Sequence, residues 1–205
     1  MKKHMLFTSL VMLCVTGILL AANFTSNDSG YSSLATTSFD AETNEANFNK
    51  MMDVLTHQRC LNCHPSDNIP KQGEDSHDHR FGITRVNGVS TTNCNTCHQD
   101  SNNKYSGVPG APHWALAPHK MRWEGLSRTE IAKSMMNPRN NGNRSAEDIM
   151  HHLTEHELVL WAWEPGVDAE GNPRELPPVP VEEYIAAVKK WIALGAVIPE
   201  EEPKP

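Results

Sequence analysis

Two copies of the pentapeptide Cys-x-x-Cys-His constrain this chain more than any other feature: Cys60-Leu-Asn-Cys63-His64 and Cys94-Asn-Thr-Cys97-His98. This spacing is typical of c-type haem attachment. The two sulfurs form thioethers to the porphyrin, and the adjacent histidine reaches the iron from the same side. We therefore expect two covalently attached haem c groups, held by thioethers from Cys60, Cys63, Cys94 and Cys97, with proximal iron ligands His64 and His98.

Other uses of four cysteines have to be weighed against this one. An exported chain can form two disulfides, and paired Cys-x-x-Cys motifs suit a tetrahedral zinc site. A thioredoxin-like pair expects a βαβ context, which the sequence does not offer. None of these explains a histidine directly after both pairs. The 30 residues between Cys63 and Cys94 also exceed the usual zinc-ribbon spacing.

Residues 1–22 have the pattern of a secretory signal peptide. Lys2 and Lys3 precede an uncharged apolar run over 5–22. Cleavage after residue 22 would leave Leu20 where a small side chain is preferred, so an uncleaved membrane anchor is the alternative. The sequence thus predicts a periplasmic protein, or one anchored to the periplasmic face of the inner membrane. Contact with a membrane is expected only if the segment is retained.

The charge of the chain is acidic, with a formal net charge of −7. Loss of residues 1–22 removes two lysines and no acid, which takes the net charge to −9. An acidic surface argues against a nucleic-acid partner. It permits docking to a basic patch on a redox partner, although acidity also simply favours solubility.

The chain divides into four segments by composition. After the signal, residues 23–44 are rich in Ser, Thr, Asn and Asp and are expected to form a flexible linker. Residues 45–199 are long enough for one domain. Residues 200–205 read as a frayed tail.

Helical periodicity dominates the predicted domain. Apolar residues from Phe48 to Leu55 lead into the first motif, and Ser127 with Glu130 forms a capping box. Ser145 with Asp148 predicts another helix start, and the helix after Pro180 is the clearest. No alternating run demands a strand, and the rest is loop. We expect an all-α, loop-rich dihaem cytochrome c domain, with few helices packed around two covalent haems. The expected haem walls are Trp114, Trp123, Trp161 and Trp163, whereas Trp191 is expected in the core.

The distal iron ligands are less constrained than the proximal ones. The available side chains are His57, His77, His79, His113, His119, His151, His152, His156 and Met121. We expect His79, from the polar His77-Asp-His79 loop, and His152, from the inner face of its helix. His77 and Met121 are the alternatives, and the sequence does not assign any of them to a particular haem. A methionine would raise the reduction potential relative to a histidine.

The chain resembles small dihaem cytochromes c that occur as subunits associated with isoquinoline 1-oxidoreductase-type enzymes. The resemblance is carried by these strings: Arg59-Cys-Leu-Asn-Cys-His-Pro65, His77-Asp-His79, Cys94-Asn-Thr-Cys-His-Gln99, Pro109-Gly-Ala-Pro112, Leu116-Ala-Pro118, Met121-Arg-Trp-Glu-Gly-Leu-Ser127, Asn140-Asn-Gly-Asn-Arg-Ser145, His152 and Leu158-Val-Leu-Trp-Ala-Trp-Glu-Pro-Gly166. It implies electron transfer with a redox partner protein, such as a molybdenum hydroxylase or a respiratory-chain component.

Three functions follow from these expectations. The first is an electron carrier, without catalytic residues, whose two haems are low-spin and six-coordinate. The second is a dihaem enzyme such as a peroxidase, with one open iron site and an acid–base group nearby, drawn from His113, His119 or Glu124. The third is a haem-based sensor, which we rank last because no signalling domain is evident.

Overall fold

The computed structural model describes residues 29–85 and 93–200, with side chains described from residue 41 onward. Within these ranges the helices are α1 (Ser29–Leu55), α2 (Gln58–Leu61), α3 (Arg128–Met136), α4 (Pro138–Asn141), α5 (Ala146–Glu155), α6 (Glu157–Leu160) and α7 (Val181–Ala193). Short 3-10 turns cover Arg80–Gly82, Cys94–Thr96, His119–Met121 and Trp161–Trp163. The molecule is therefore mainly helical with long connecting loops, as predicted.

The core lies between α1, α3, α5 and α7. Apolar side chains at helical spacing on α1 face those of α7, and the rings of Phe48 and Trp191 lie 6.2 Å apart. Trp191 is completely buried, which confirms its predicted place in the core. The core residues are Phe48, Met51, Met52, Val54, Leu55, Met121, Trp123, Ile131, Ala132, Met135, Ile149, Leu153, Val179, Tyr184, Val188 and Trp191. Burial of this apolar surface is the main source of the stability of the fold.

The predicted helix starts are confirmed. Ser127 and Ser145 each accept a hydrogen bond from the backbone N–H three residues on, and the acid at that position accepts one in return. These capping boxes satisfy backbone donors that the helix cannot satisfy itself. Gly195 follows the last helix with φ 90°, a left-handed conformation that favours glycine.

Two expectations need correction. A two-residue antiparallel pair, β1 (Lys71–Gln72) and β2 (His77–Asp78), lies in a region predicted to be loop. Strands this short have no detectable period, so sequence patterning could not reveal them. In addition, the predicted linker 23–44 is helical from Ser29 onward, and its Asn44 is buried and donates to the Val197 carbonyl at 2.8 Å. Asn44 thus ties the end of this segment to the chain that follows α7.

The predicted signal peptide, the first residues of the predicted linker and most of the predicted tail lie outside the described residues. No helix within 29–85 and 93–200 combines the length and the apolar character needed to cross a bilayer.

Candidate haem-binding sites

Both pentapeptides fold into the same single turn. In the first, the N–H groups of Cys63 and His64 both donate to the Cys60 carbonyl, each at 3.1 Å. In the second, Cys97 and His98 donate in the same way to the Cys94 carbonyl, at 3.2 and 2.9 Å. Residues three and four positions apart share one face of such a turn. Each motif therefore presents two thiols and one imidazole on one side.

The imidazole of His64 is held by its surroundings in a defined tautomer. Its Nδ1 donates to the Met121 carbonyl at 2.6 Å, because a carbonyl can only accept. The ring stacks on Trp123 with centroids 3.6 Å apart and an interplanar angle of 12°. Burial lowers the pKa of His64 to about 4, so the ring is neutral at pH 7. A neutral imidazole with Nδ1 engaged leaves Nε2 as a lone-pair donor, which is how ligating histidines are oriented.

The imidazole of His98 is held in a parallel way. Its Nδ1 donates to the Pro109 carbonyl at 2.7 Å, and the ring stacks on Trp114 at 4.6 Å and 8°. Trp161 meets the Trp114 ring edge-on at 4.9 Å. Burial lowers the pKa of His98, which again favours the neutral ring. Each motif histidine thus donates to a backbone carbonyl and stacks on a tryptophan, although different segments of the chain supply these groups at the two motifs.

The first motif is anchored to the core. Arg59, immediately before it, is only 6% exposed, and its side chain donates to the Glu74 carboxylate and, at 2.9 Å, to the Glu175 carbonyl. Burial raises the pKa of the Cys60 thiol to about 12 and that of Cys63 to about 11. Both thiols are therefore protonated at pH 7.

The second motif lies at the surface, since Cys94 and Cys97 are exposed. The charge of Cys94 nevertheless contributes, after burial, to the raised pKa of Cys63, so the two motifs are neighbours. The sites are close together but have unlike surroundings.

Within the described residues, the four motif cysteines are arranged neither as disulfides nor around a shared zinc ion. All four motif cysteines are free thiols. Among the described residues, no group of three or more His, Cys, Asp or Glu side chains is placed to hold a metal ion. The donor set consists of two separate units of two thiols and one neutral imidazole, and this chemistry fits a covalent haem at each motif.

The His77-Asp-His79 loop places its two histidines differently. His77 is exposed, and its Nδ1 lies 2.6 Å from the carboxylate of Asp75. His79 is half-buried, its Nδ1 donates to the Arg80 carbonyl at 2.7 Å, and its ring centroid lies 6.0 Å from that of His98. The structure therefore brings His79 to the second motif.

His152 lies on α5 and is half-buried, whereas its position among inward-facing residues predicted a buried ring. Burial, followed by the charges of His156 and Arg144, lowers its pKa to about 4. Its ring lies 5.0 Å from the ring of His156. His152, His156 and Arg144 all line a cavity of about 440 Å³. The charged form of His152 also lowers the pKa of His64, after burial, whereas the bond to the Met121 carbonyl raises it. This interaction puts His152 in the neighbourhood of the first motif.

His156 is a candidate that sequence reasoning did not select. Its Nδ1 is buried without a hydrogen-bond partner, and its ring lies 5.9 Å from that of His113. His156 ends α5 and precedes α6, so no helical period marks it as inward-facing. The sequence therefore offers no indication that the side chain of His156 is partly buried.

The remaining candidates have structural contacts of their own. Met121 is buried in the core, and its carbonyl holds His64, so its backbone lies on the proximal side of that ring. This position does not favour Met121 as the distal ligand of the same iron. His57 caps α2 by accepting from the Arg59 N–H.

The residues considered for acid–base chemistry are also engaged or exposed. Glu124 accepts from the backbone and the hydroxyl of Ser66, at 2.8 and 2.7 Å. His119 is exposed and lies 3.4 Å from the Arg122 guanidinium.

The chain matches no protein-family model, no curated protein sequence and no solved structure. The resemblance to dihaem cytochromes therefore depends on the residues quoted for it.

Proposed function

We propose that this chain is an exported dihaem c-type cytochrome that carries electrons between redox partners. The main support is the repeated unit at the two motifs. Each has two thiols and an imidazole on one turn, with Nδ1 of the imidazole bonded to a carbonyl. Cys60 and Cys63 would hold one haem, and Cys94 and Cys97 the other.

In this proposal the polypeptide carries out no chemical step itself. A bound haem would supply one-electron redox chemistry, and the chain would bind, orient and shield it. The carbonyls of Met121 and Pro109 fix the tautomers of the proximal histidines, and Trp123 and Trp114 fix the planes of their rings. A carrier needs no substrate pocket and no catalytic residue. It does need a sixth ligand for each iron, and the half-buried His79 and His152 are available.

One observation favours a second candidate function, a dihaem enzyme such as a peroxidase. The cavity beside His152 and His156 is about 440 Å³ and includes the cationic Arg144. If no side chain closed the sixth position of the nearby iron, a small oxidant could bind there. The two candidates differ in the spin state of the oxidised irons, because an open position gives high-spin iron.

The partner in this proposal is a protein with a basic docking patch. The acidic net charge of −7 suits electrostatic steering toward such a patch, and the haem propionates would add to it. The resemblance suggests a molybdenum hydroxylase or a respiratory-chain component as donor or acceptor. The proposed location is the periplasm.

The test is the intact mass of the full-length protein, produced in the periplasm with a c-type haem maturation system. We expect a mass gain corresponding to two haems, and low-spin electron paramagnetic resonance (EPR) signals from both ferric irons. The double variant Cys60→Ser/Cys63→Ser should lose one haem, and Cys94→Ser/Cys97→Ser should lose the other. A wild-type protein with no haem mass would refute the proposal. Two haems with one high-spin, peroxide-reactive iron would instead favour the enzyme.

A further inference from the structure

The rings of His79 and His98 lie at a separation that a single metal ion could bridge. Their centroids lie 6.0 Å apart and their planes are inclined by 62°. Two imidazoles on opposite sides of one metal are separated by two metal–nitrogen bonds of about 2 Å each, plus roughly 1.2 Å from each nitrogen to its ring centroid, or about 6.4 Å in total. The observed distance is slightly shorter than this sum, and it also lies within the range of edge-to-face ring contacts. It is longer than a stacked contact.

Both rings also have the tautomer that a ligand requires. Nδ1 of His98 donates to the Pro109 carbonyl, and Nδ1 of His79 donates to the Arg80 carbonyl, each at 2.7 Å. Because carbonyls accept only, both Nδ1 atoms carry the hydrogen, which leaves Nε2 as the nitrogen of each ring that can offer a lone pair to a metal. An Nδ1–H bonded to a backbone carbonyl is the usual support of a metal-bound histidine.

The β1–β2 hairpin holds His79 in place. The backbone N–H of His79 donates to the Pro70 carbonyl at 2.8 Å, directly beside the strand pair. Lys71 ties the hairpin together through Asp78 at 2.6 Å and Asp67 at 3.1 Å. The turn passes through Gly73 at φ 79°, where a Cβ would crowd the side chain of Asp75. A fixed side chain loses little entropy on binding a ligand.

One large apolar side chain close to His79 in the chain is exposed. Phe81, two residues after His79, is 81% exposed and has a left-handed φ of 68°. A large aromatic ring is seldom kept in such a backbone conformation at a free surface. A flat apolar cofactor against the loop would cover it.

We propose that His79 is the sixth ligand of the iron that His98 holds, so that the second haem has bis-histidine coordination. This inference rests on the proposed function, since it needs a haem at Cys94 and Cys97. It assigns one of the predicted distal ligands to one of the two haems. Bis-histidine coordination gives a lower potential than histidine–methionine coordination.

The experiment compares His79→Ala with His77→Ala in the full-length, haem-loaded protein. His77 is a matched control, because it lies two residues away on the same hairpin and is exposed. Intact mass counts the haems first. EPR of the oxidised protein then reports the spin state, and a redox titration reports the two midpoints. We expect His79→Ala to convert one of two low-spin irons to high-spin, and added imidazole to restore the low-spin signal. His77→Ala should match the wild type.

A second variant guards against a folding defect. His79→Met should keep both haems and raise one of the two midpoint potentials, because a thioether replaces an imidazole on the iron. Two haems with wild-type spectra and midpoints in both His79 variants would overturn the inference while leaving the proposed function intact. Loss of the low-spin signal in His77→Ala alone would also overturn it. Absence of haem from the wild-type protein would refute the proposed function itself.

Discussion

Arg59 shows how a single residue holds the first Cys-x-x-Cys-His motif in place. It directly precedes Cys60, yet its guanidinium is almost fully buried and bridges two distant segments, at Glu74 and Glu175. Buried cations are costly unless their donors are satisfied. The bridge therefore holds the start of the motif against the loops that surround it.

Arg59→Ala should be destabilising. We expect a loss of about 2–4 kcal/mol in the free energy of unfolding, because the substitution removes charge-assisted bonds and leaves space in the interior. Denaturant unfolding followed by circular dichroism measures it.

Lys50→Ala is the control, because its ion pair with Glu183 is solvent-exposed, with 43% and 56% of the two side chains accessible. A change of about 0–1 kcal/mol is expected there. Equal losses in the two variants would contradict the role given to the bridge.

At the scale of elements, sequence reasoning succeeded where a local rule exists. The capping boxes at Ser127 and Ser145 and the amphipathic α7 follow from spacing alone, and the structure has all three. Each motif turn was likewise predictable, because its hydrogen bonds are local. The hairpin that places His79 was not, because two-residue strands are stabilised by contacts that no periodicity reveals.

The backbone carbonyls that accept from the two motif histidines could not be predicted from the sequence either. Met121 lies 57 residues from His64, and Pro109 lies 11 from His98. A backbone carbonyl has no side-chain signature, so any residue type can serve. The candidate sites were thus predictable in their ligands but not in the groups that orient those ligands.

Gly110→Ala should perturb the second motif specifically. A Cβ on Gly110 would collide with the backbone carbonyls of Gln99 and Ser101. The strain would displace the neighbouring Pro109 carbonyl, which holds His98. We expect the spectrum and midpoint of one haem to change while those of the other stay as in the wild type.

The control for Gly110→Ala is Ala111→Gly, which removes a buried methyl group from the adjacent position without adding bulk. Its expected effect is a modest loss of stability with both haem spectra retained. Changes at both haems in Gly110→Ala would argue against a local effect.

For the whole molecule, the two motifs contribute unequally to the fold. The first is continuous with the core, since Cys60 and Leu61 pack against it, whereas the cysteines of the second are exposed. Helix α1 leads directly into the first motif and packs along α7. A haem at the first site would complete the central core, and a haem at the second would cover a peripheral loop region.

The two cysteine-pair variants should therefore differ in stability. Cys60→Ser/Cys63→Ser is expected to unfold at clearly lower denaturant concentration than Cys94→Ser/Cys97→Ser, because it would lose cofactor packing beside the core and places hydroxyls at half-buried rather than exposed positions. Each variant retains one haem and serves as the matched control for the other. Circular dichroism during denaturation measures the difference. Equal denaturant concentrations at half-unfolding would show that the two sites contribute equally to stability.

The difference in exposure between the two cysteine pairs also bears on biosynthesis. A thiol has to be accessible to the maturation enzymes, and Cys60 and Cys63 are partly shielded in the folded chain. Cys94 and Cys97 remain accessible in the folded polypeptide. If both haems are attached as proposed, ligation at Cys60 and Cys63 should be easier before the polypeptide closes, whereas ligation at Cys94 and Cys97 could occur before or after closure.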